Sequence, residues 1–211
     1  ANNPVDDRKN LFNTIKWFCE TFKDDKDVGL ILKTNYGKST KIDYHITKDI
    51  LRKLLGEVRQ GEYPKIHMIH GMMKQSEMAN LYKHPSVKCF ISLTRGEGYG
   101  LPIIESAASG IPIIATNWSG HLDFLNEGKF IPIDYTMKEI SNTRVDNRIF
   151  LEGFKWADPD EIDFKRKIRK FREKSTIPKE WANDMSKNII SKYSMTAIIK
   201  KYNKFLEIFT K

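Results

Sequence analysis

Apolar residues along this chain follow two rhythms that alternate. Short runs rich in β-branched and other apolar residues stand at 28–33, 65–70, 87–93, 110–115 and 129–133. The second to fourth are mostly apolar, as expected for strands covered on both faces. Between the runs, apolar residues recur three or four apart. Leu11, Ile15, Phe18 and Phe22 form one such stripe, and Ile50, Leu54, Leu55 and Val58 another, the spacing of amphipathic helices. Strand and helix in regular turn predict βαβ crossovers and hence an α/β fold with a doubly wound parallel sheet. The first helix, from about residue 8, has only seven residues before it and no strand. A doubly wound sheet should supply one, so a strand upstream of residue 1 is expected. Past 133 the alternation stops. Residues 134–157 read as polar and irregular, and 160–174, 179–191 and 194–209 as helices. The expected organisation is an α/β core over 1–157 and a helical tail over 158–211.

Composition narrows the class. The 211 residues carry 36 Lys+Arg against 27 Asp+Glu, a formal charge of +9, and 40% are apolar, which fits a packed core and not a disordered chain. Cys19 and Cys89 are too few for a disulfide framework and lie among apolar residues, so they read as reduced, buried thiols of a cytosolic-type protein. No apolar run approaches the roughly 18 residues of a membrane span. The positive charge invites a phosphate-bearing partner and leaves nucleic acid, an anionic membrane and a nucleotide open.

One stretch carries chemistry. Residues 92–116 run strand, glycine-rich loop, helix, strand. Gly96, Gly98 and Gly100 fall between a strand end and a helix start, where the missing side chains let backbone N–H groups approach a ligand. Pro102 suits the first turn of the following helix, because its absent N–H would have no partner there. The helix N-terminus adds partial positive charge, and ligands of open parallel sheets sit at these strand ends. Glu97 in the loop and Glu105 in the helix flank this anion cradle. Carboxylates repel phosphate but accept hydrogen bonds from hydroxyls. A cradle between two hydroxyl acceptors is the layout of a site for a sugar joined through diphosphate to a ribose.

The motif Glu97-Gly98-Tyr99-Gly100-Leu101-Pro102-x-x-Glu105, followed by Ala108-x-Gly110-x-Pro112-Ile-Ile-Ala-Thr116, resembles the donor-site signature of GT-B glycosyltransferases, most closely the large retaining group numbered four. His70-Gly71 at a strand end, Asp7-Arg8-Lys9-Asn10-Leu11, Trp118-Ser119-Gly120, Asp123-Phe124-Leu125 and Trp156-Ala157-Asp158-Pro159 also resemble stretches of that group. The likeness covers nearly the whole chain, but only as the C-terminal, Rossmann-like, donor-binding half of a two-domain enzyme. It implies transfer of a sugar from a nucleotide sugar with retention, to a glycan or lipid-linked acceptor. It implies no metal and no cofactor, and a separate N-terminal domain to hold the acceptor. Carried over, Lys9, together with Arg8, contacts the diphosphate. Gly96, Gly98, Tyr99, Gly100 and Leu101 line the donor, Glu97 binds the donor sugar, Glu105 the ribose, and Met73 packs on the base. Glu97 and Lys9 are the expected catalytic groups. A second diphosphate arginine often stands six residues before the lysine in this group, and that place holds Asn3. A non-catalytic nucleotide-sugar or glycan-binding module of the same fold is the alternative.

Other signals are weaker. Gly37-Lys38-Ser39-Thr40 imitates the end of a P-loop, but Leu32 stands where its first glycine belongs. In Gly96-x-Gly98-x-Gly100 the third glycine falls one residue early for a dinucleotide fingerprint. The histidines show no metal spacing, and Asn117-Trp118-Ser119 matches a glycosylation acceptor without other signs of secretion. The basic run 164–174 places Phe164, Ile168 and Phe171 on one helical face. It reads as an amphipathic helix with a solvated basic side, or as a weak contact with an anionic membrane surface for a peripheral protein. Nucleic acid is not an expected partner, for no recognised motif or interleaved aromatics accompany the charge.

Overall fold

The computed structural model describes residues 5–209. In chain order it runs α1 (Leu11–Thr21), β1 (Gly29–Thr34), α2 (Lys41–Val58), β2 (Lys65–His70), α3 (Gln75–Lys83), β3 (Phe90–Ser92), α4 (Leu101–Ala108), β4 (Ile113–Thr116), α5 (Leu122–Leu125), β5 (Ile131–Ile133), β6 (Tyr135–Glu139), β7 (Lys155–Pro159), α6 (Glu161–Glu173), α7 (Thr176–Tyr193) and α8 (Met195–Leu206). All five strands expected from the apolar runs form, within a few residues of their expected limits. β1 pairs in parallel with β2, and β3, β4 and β5 form a second parallel ladder in that order.

Strand alternation sorts the core into two layers. In β4, Ile114 faces a cluster built from Trp17 and Phe18 of α1, Phe22 just after it, and Phe164, Ile168 and Phe171 of α6. Its neighbours Ile113 and Ala115 face the other layer, with Ile103 of α4, Phe124 of α5 and Met185 and Ile189 of α7. Helices therefore cover both faces of this ladder, as a doubly wound sheet requires. Leu30 of β1, Ile66 of β2 and Ile91 of β3 all pack against the α1–α6 cluster, so the two parallel pieces share one apolar layer.

One expectation is revised. Residues 134–157 are not irregular throughout. β6 and β7 pair antiparallel, from Tyr135 opposite Pro159 to Glu139 opposite Lys155, and Ile140, Phe150 and Trp156 form a small core beside them. In the α2 stripe Leu54, Leu55 and Val58 are half-buried and Ile50 is exposed, so this helix covers the sheet only in part. In the basic helix α6, Phe164, Ile168 and Phe171 are buried. Lys165 pairs with Glu20 and Glu161, Arg166 and Lys167 with Asp163, and Arg172 with Asp25. The Phe164–Ile168–Phe171 face thus sits in the core, as an amphipathic helix with a basic outer side requires, while Ile162 of the same helix stands exposed. Among the described residues no helix is long and apolar enough to cross a membrane.

Candidate functional site

The site gathers where β3 and β4 end. After β3 the chain turns through Thr94–Gly100 and enters α4. Gly100 caps that helix at φ 89°, and a Cβ there would stand 3.1 Å from His121 Cβ and 3.2 Å from Ile103 Cδ1; both the left-handed backbone and the close approach demand glycine. Gly98 is different: it is exposed, and a Cβ would meet nothing within 4 Å. The side on which a Cβ would stand is open.

After β4 a second loop locks onto the first. Ser119 Oγ accepts from the Glu97 N–H (2.8 Å) and donates to the Glu97 carbonyl (2.6 Å), and Gly120 N–H donates to the same carbonyl (3.1 Å). A Cβ on Gly120 would lie 2.0 Å from the Gly98 carbonyl oxygen, so only glycine lets the loops meet. Ser119 holds φ 92°, a strained value for a side-chain-bearing residue that its paired hydroxyl compensates. Beneath them His121 is fully buried, its Nε2 on the Thr116 carbonyl at 2.8 Å. Burial lowers its basicity, against the opposing pull of that carbonyl and of Glu97.

The N-terminal segment supplies the cations. Asp7 caps α1, its Oδ2 accepting from Leu11 N–H (2.5 Å) and Phe12 N–H (3.4 Å). That fixes Arg8 and Lys9 against the loop. The Lys9 ammonium and the Arg8 guanidinium (3.3 Å) both pair with the Glu97 carboxylate, and Arg8 also donates to the Gly96 carbonyl. The Glu97 side chain is 11% exposed. Burial alone would raise its pKa, but the hydrogen bonds and charges of Lys9 and Arg8 prevail and hold it below the usual carboxylate value. Three residues named from the sequence thus converge through side-chain contacts 88 and 89 positions apart.

Arg95 ties this arrangement together. It is 6% exposed. Its guanidinium donates to Asp158 (2.8 Å) and to the Asp7 carbonyl (2.9 Å) and lies 5.1 Å from the Trp156 ring centre. Its N–H donates to the Arg8 carbonyl (2.8 Å), and its carbonyl accepts from Ala157 N–H (3.1 Å). One residue joins the glycine loop, the cation-bearing segment and β7. Sequence reasoning gave Arg95, Ser119 and Asp158 no role. For Arg95 the available signal was its place beside the glycine loop; its partner lies 63 residues away.

The remaining expected residues are spread over the surrounding surface. Tyr99 is half-exposed with its ring 5.4 Å from Phe124, and Leu101 and Glu105 are exposed on α4. Glu105 faces the α3 side, where its charge adds to the burial that raises the Tyr82 hydroxyl to about 12. Met73 is half-buried in the turn after β2, and no described contact joins it to the Glu97 loop. Asn3 lies outside the described residues. A separate open crevice of about 740 Å³ lies between the end of α1 and α6 and contains none of these groups.

The family model described as "Glycosyl transferases group 1" matches residues 51–192, about two thirds of the chain. The chain belongs to the glycosyl transferases group 1 family. A probable sucrose-phosphate synthase of Solanum tuberosum is 30% identical over 129 residues, which are 56% of this chain and 11% of that protein. Among solved structures, the pneumococcal O-GlcNAc transferase GtfA in complex with UDP and GlcNAc aligns with TM-score 0.58 at 15% identity, over 96% of this chain and 34% of that one. The C-terminal domain of a glycosyl transferase group 1 protein, LpcC of Francisella tularensis, aligns with TM-score 0.58 at 16% identity, over 89% of this chain and 81% of that domain. At these identities the structural likeness concerns the fold alone, the GT-B glycosyltransferase fold. This group 1 chain spans about a tenth of the potato relative and a third of the pneumococcal one.

Proposed function

We propose that this chain is the donor-binding half of a retaining glycosyltransferase and binds a nucleotide sugar at the Glu97 loop. The observation that carries the reading is the Glu97 carboxylate held by Lys9 and Arg8 at the mouth of an open glycine turn. A diphosphate laid over Gly98–Gly100 takes backbone N–H groups, the α4 N-terminus and the Lys9 ammonium. These donors stabilise the negative charge that grows on the departing nucleoside diphosphate. Glu97, relieved of part of its pairing when Lys9 turns to phosphate, accepts hydroxyls of the transferred sugar and orients it. Glu105, exposed on the opposite side, accepts from the ribose. The proposal involves neither metal nor cofactor. Alignment with a domain that is itself C-terminal in a group 1 protein supports the assignment to the donor half, and the UDP complex of the pneumococcal relative supports the choice of ligand class. Catalysis then requires an acceptor-holding domain, so the 211-residue chain binds donor without turning it over.

Titration calorimetry with UDP, GDP and ADP tests this. One of the three binds with a one-to-one stoichiometry and prefers its sugar-linked form; heat from none of them contradicts the proposal.

A further inference from the structure

Beside the site, on the side away from Glu105, lies a cleft of about 200 Å³ that the donor chemistry leaves unused. Its walls include Arg8, Gly96, Trp118, Phe150, Phe154 and Trp156. The first two are shared with the donor site: Arg8 bridges the Gly96 carbonyl and Glu97. The aromatics come from the loop after β4 and from the β6–β7 hairpin. Trp118 is 39% and Phe154 53% exposed, unlike Trp156 at 6%. The Trp118 ring is braced by Tyr135, with centroids 5.5 Å apart, and Phe150 is fixed between Trp156 (6.2 Å) and the Arg144 guanidinium (4.1 Å).

The shared residues set what this cleft faces. Glu105 lies on the α3 side, near Tyr82, while Arg8, which touches Glu97, also lines the cleft together with Gly96. A donor with its ribose at Glu105 and its sugar at Glu97 therefore ends at the cleft. Whatever occupies the cleft is next to the transferred sugar and not to the nucleoside. The volume is below the 300–1,000 Å³ of drug-sized ligand sites and suits about one sugar ring. Half-exposed aromatic faces present apolar surface to the C–H faces of a pyranose, while Arg8 and the exposed Lys155 at the wall offer donors to its hydroxyls.

We infer that the Trp118–Phe154 cleft is a carbohydrate subsite that receives a pyranose ring of the acceptor glycan. That the ring belongs to the acceptor rests on the donor-site reading above; that the cleft takes a sugar rests on its own lining.

Saturation-transfer NMR on the 211-residue chain tests it, using the methyl glycosides of glucose, galactose, mannose and N-acetylglucosamine, each with and without UDP. The wild-type chain transfers saturation to at least one glycoside. Trp118→Ala and Phe154→Ala each cut that signal about fivefold or more, and Trp118→Phe restores at least half of it. UDP affinity stays within about twofold in all three variants, since none of these side chains touches the glycine turn. Absence of transfer to every glycoside overturns the inference, as does full signal in both alanine variants. Glycoside binding in a chain that ignores nucleotides sustains the cleft and sinks the donor site. Nucleotide binding without glycoside binding does the reverse.

Discussion

Glu97 is a carboxylate with two cations already on it, and that has a consequence for ligand binding. In the free chain Lys9 and Arg8 neutralise the acid; in the proposed complex Lys9 turns to a phosphate and Glu97 to the sugar hydroxyls. Glu97→Gln removes the competitor for Lys9. It should therefore leave nucleoside diphosphate affinity equal or better, while weakening the sugar-linked nucleotide by about 1.5–3 kcal/mol, the worth of a hydrogen bond to a charged group. Calorimetry with both ligands checks this, and equal losses for both would mean that Glu97 does not hold the sugar. Glu105→Gln should cost a similar amount for ribose-bearing ligands and nothing further for their 2′,3′-dideoxy forms. A pH effect belongs to the same scale. His121 has its basicity lowered by burial, so the unfolded chain takes up a proton near pH 6.5 that the folded chain resists. The stability that His121 confers is complete above that value and lost as pH falls below it. Denaturant midpoints at pH 7.5 and 5.5 should differ in wild type and converge in His121→Asn; an unchanged wild-type midpoint would remove His121 from the account.

At the scale of elements, the site depends on two loops and a hairpin held in register. Gly120→Ala places a Cβ 2.0 Å from the Gly98 carbonyl oxygen, a backbone atom that must move. Overpacking of this kind costs about 1–3 kcal/mol, and the displaced Gly98 should take nucleotide binding with it. A folded Gly120→Ala chain with unaltered affinity would show that the loop contact is dispensable. Arg95→Met breaks a buried pair and leaves Asp158, among the described residues, with the exposed Lys138 as its cation partner. The expected loss is about 3 kcal/mol in denaturant unfolding, reduced when Asp158→Asn is added, because the pair is then removed together. The parallel strands were legible because each is a compact apolar run. The β6–β7 hairpin was not: its residues Thr136 to Glu139 are exposed, and a long irregular connection separates the strands. The Arg95–Asp158 pair was equally hidden, since nothing in either local sequence names a partner 63 residues away.

At the scale of the whole molecule, α6 and α7 belong to the two core layers, Phe164 and Ile168 on one side of β4 and Met185 and Ile189 on the other. Local ion pairs occupy many of the cations but leave the +9 excess unchanged, and the cations that the proposed donor site uses are Arg8 and Lys9. The glycine turn and Glu97 were legible because they stand together in one short run, whereas Lys9, 88 positions from Glu97, was named only through the family resemblance. Ser119 and the aromatic cleft were not legible, because they enter from other strands. The central claim is that a nucleoside diphosphate lies along the Gly98–Gly100 turn, with Lys9 on one side and Glu105 on the other. Backbone amide NMR of the 211-residue chain during titration with UDP, GDP or ADP tests it most directly. For the nucleotide that binds, shifts should concentrate at Lys9, Gly98, Tyr99, Gly100 and Glu105. Shifts confined to the α1–α6 crevice, or none for any of the three, would contradict it.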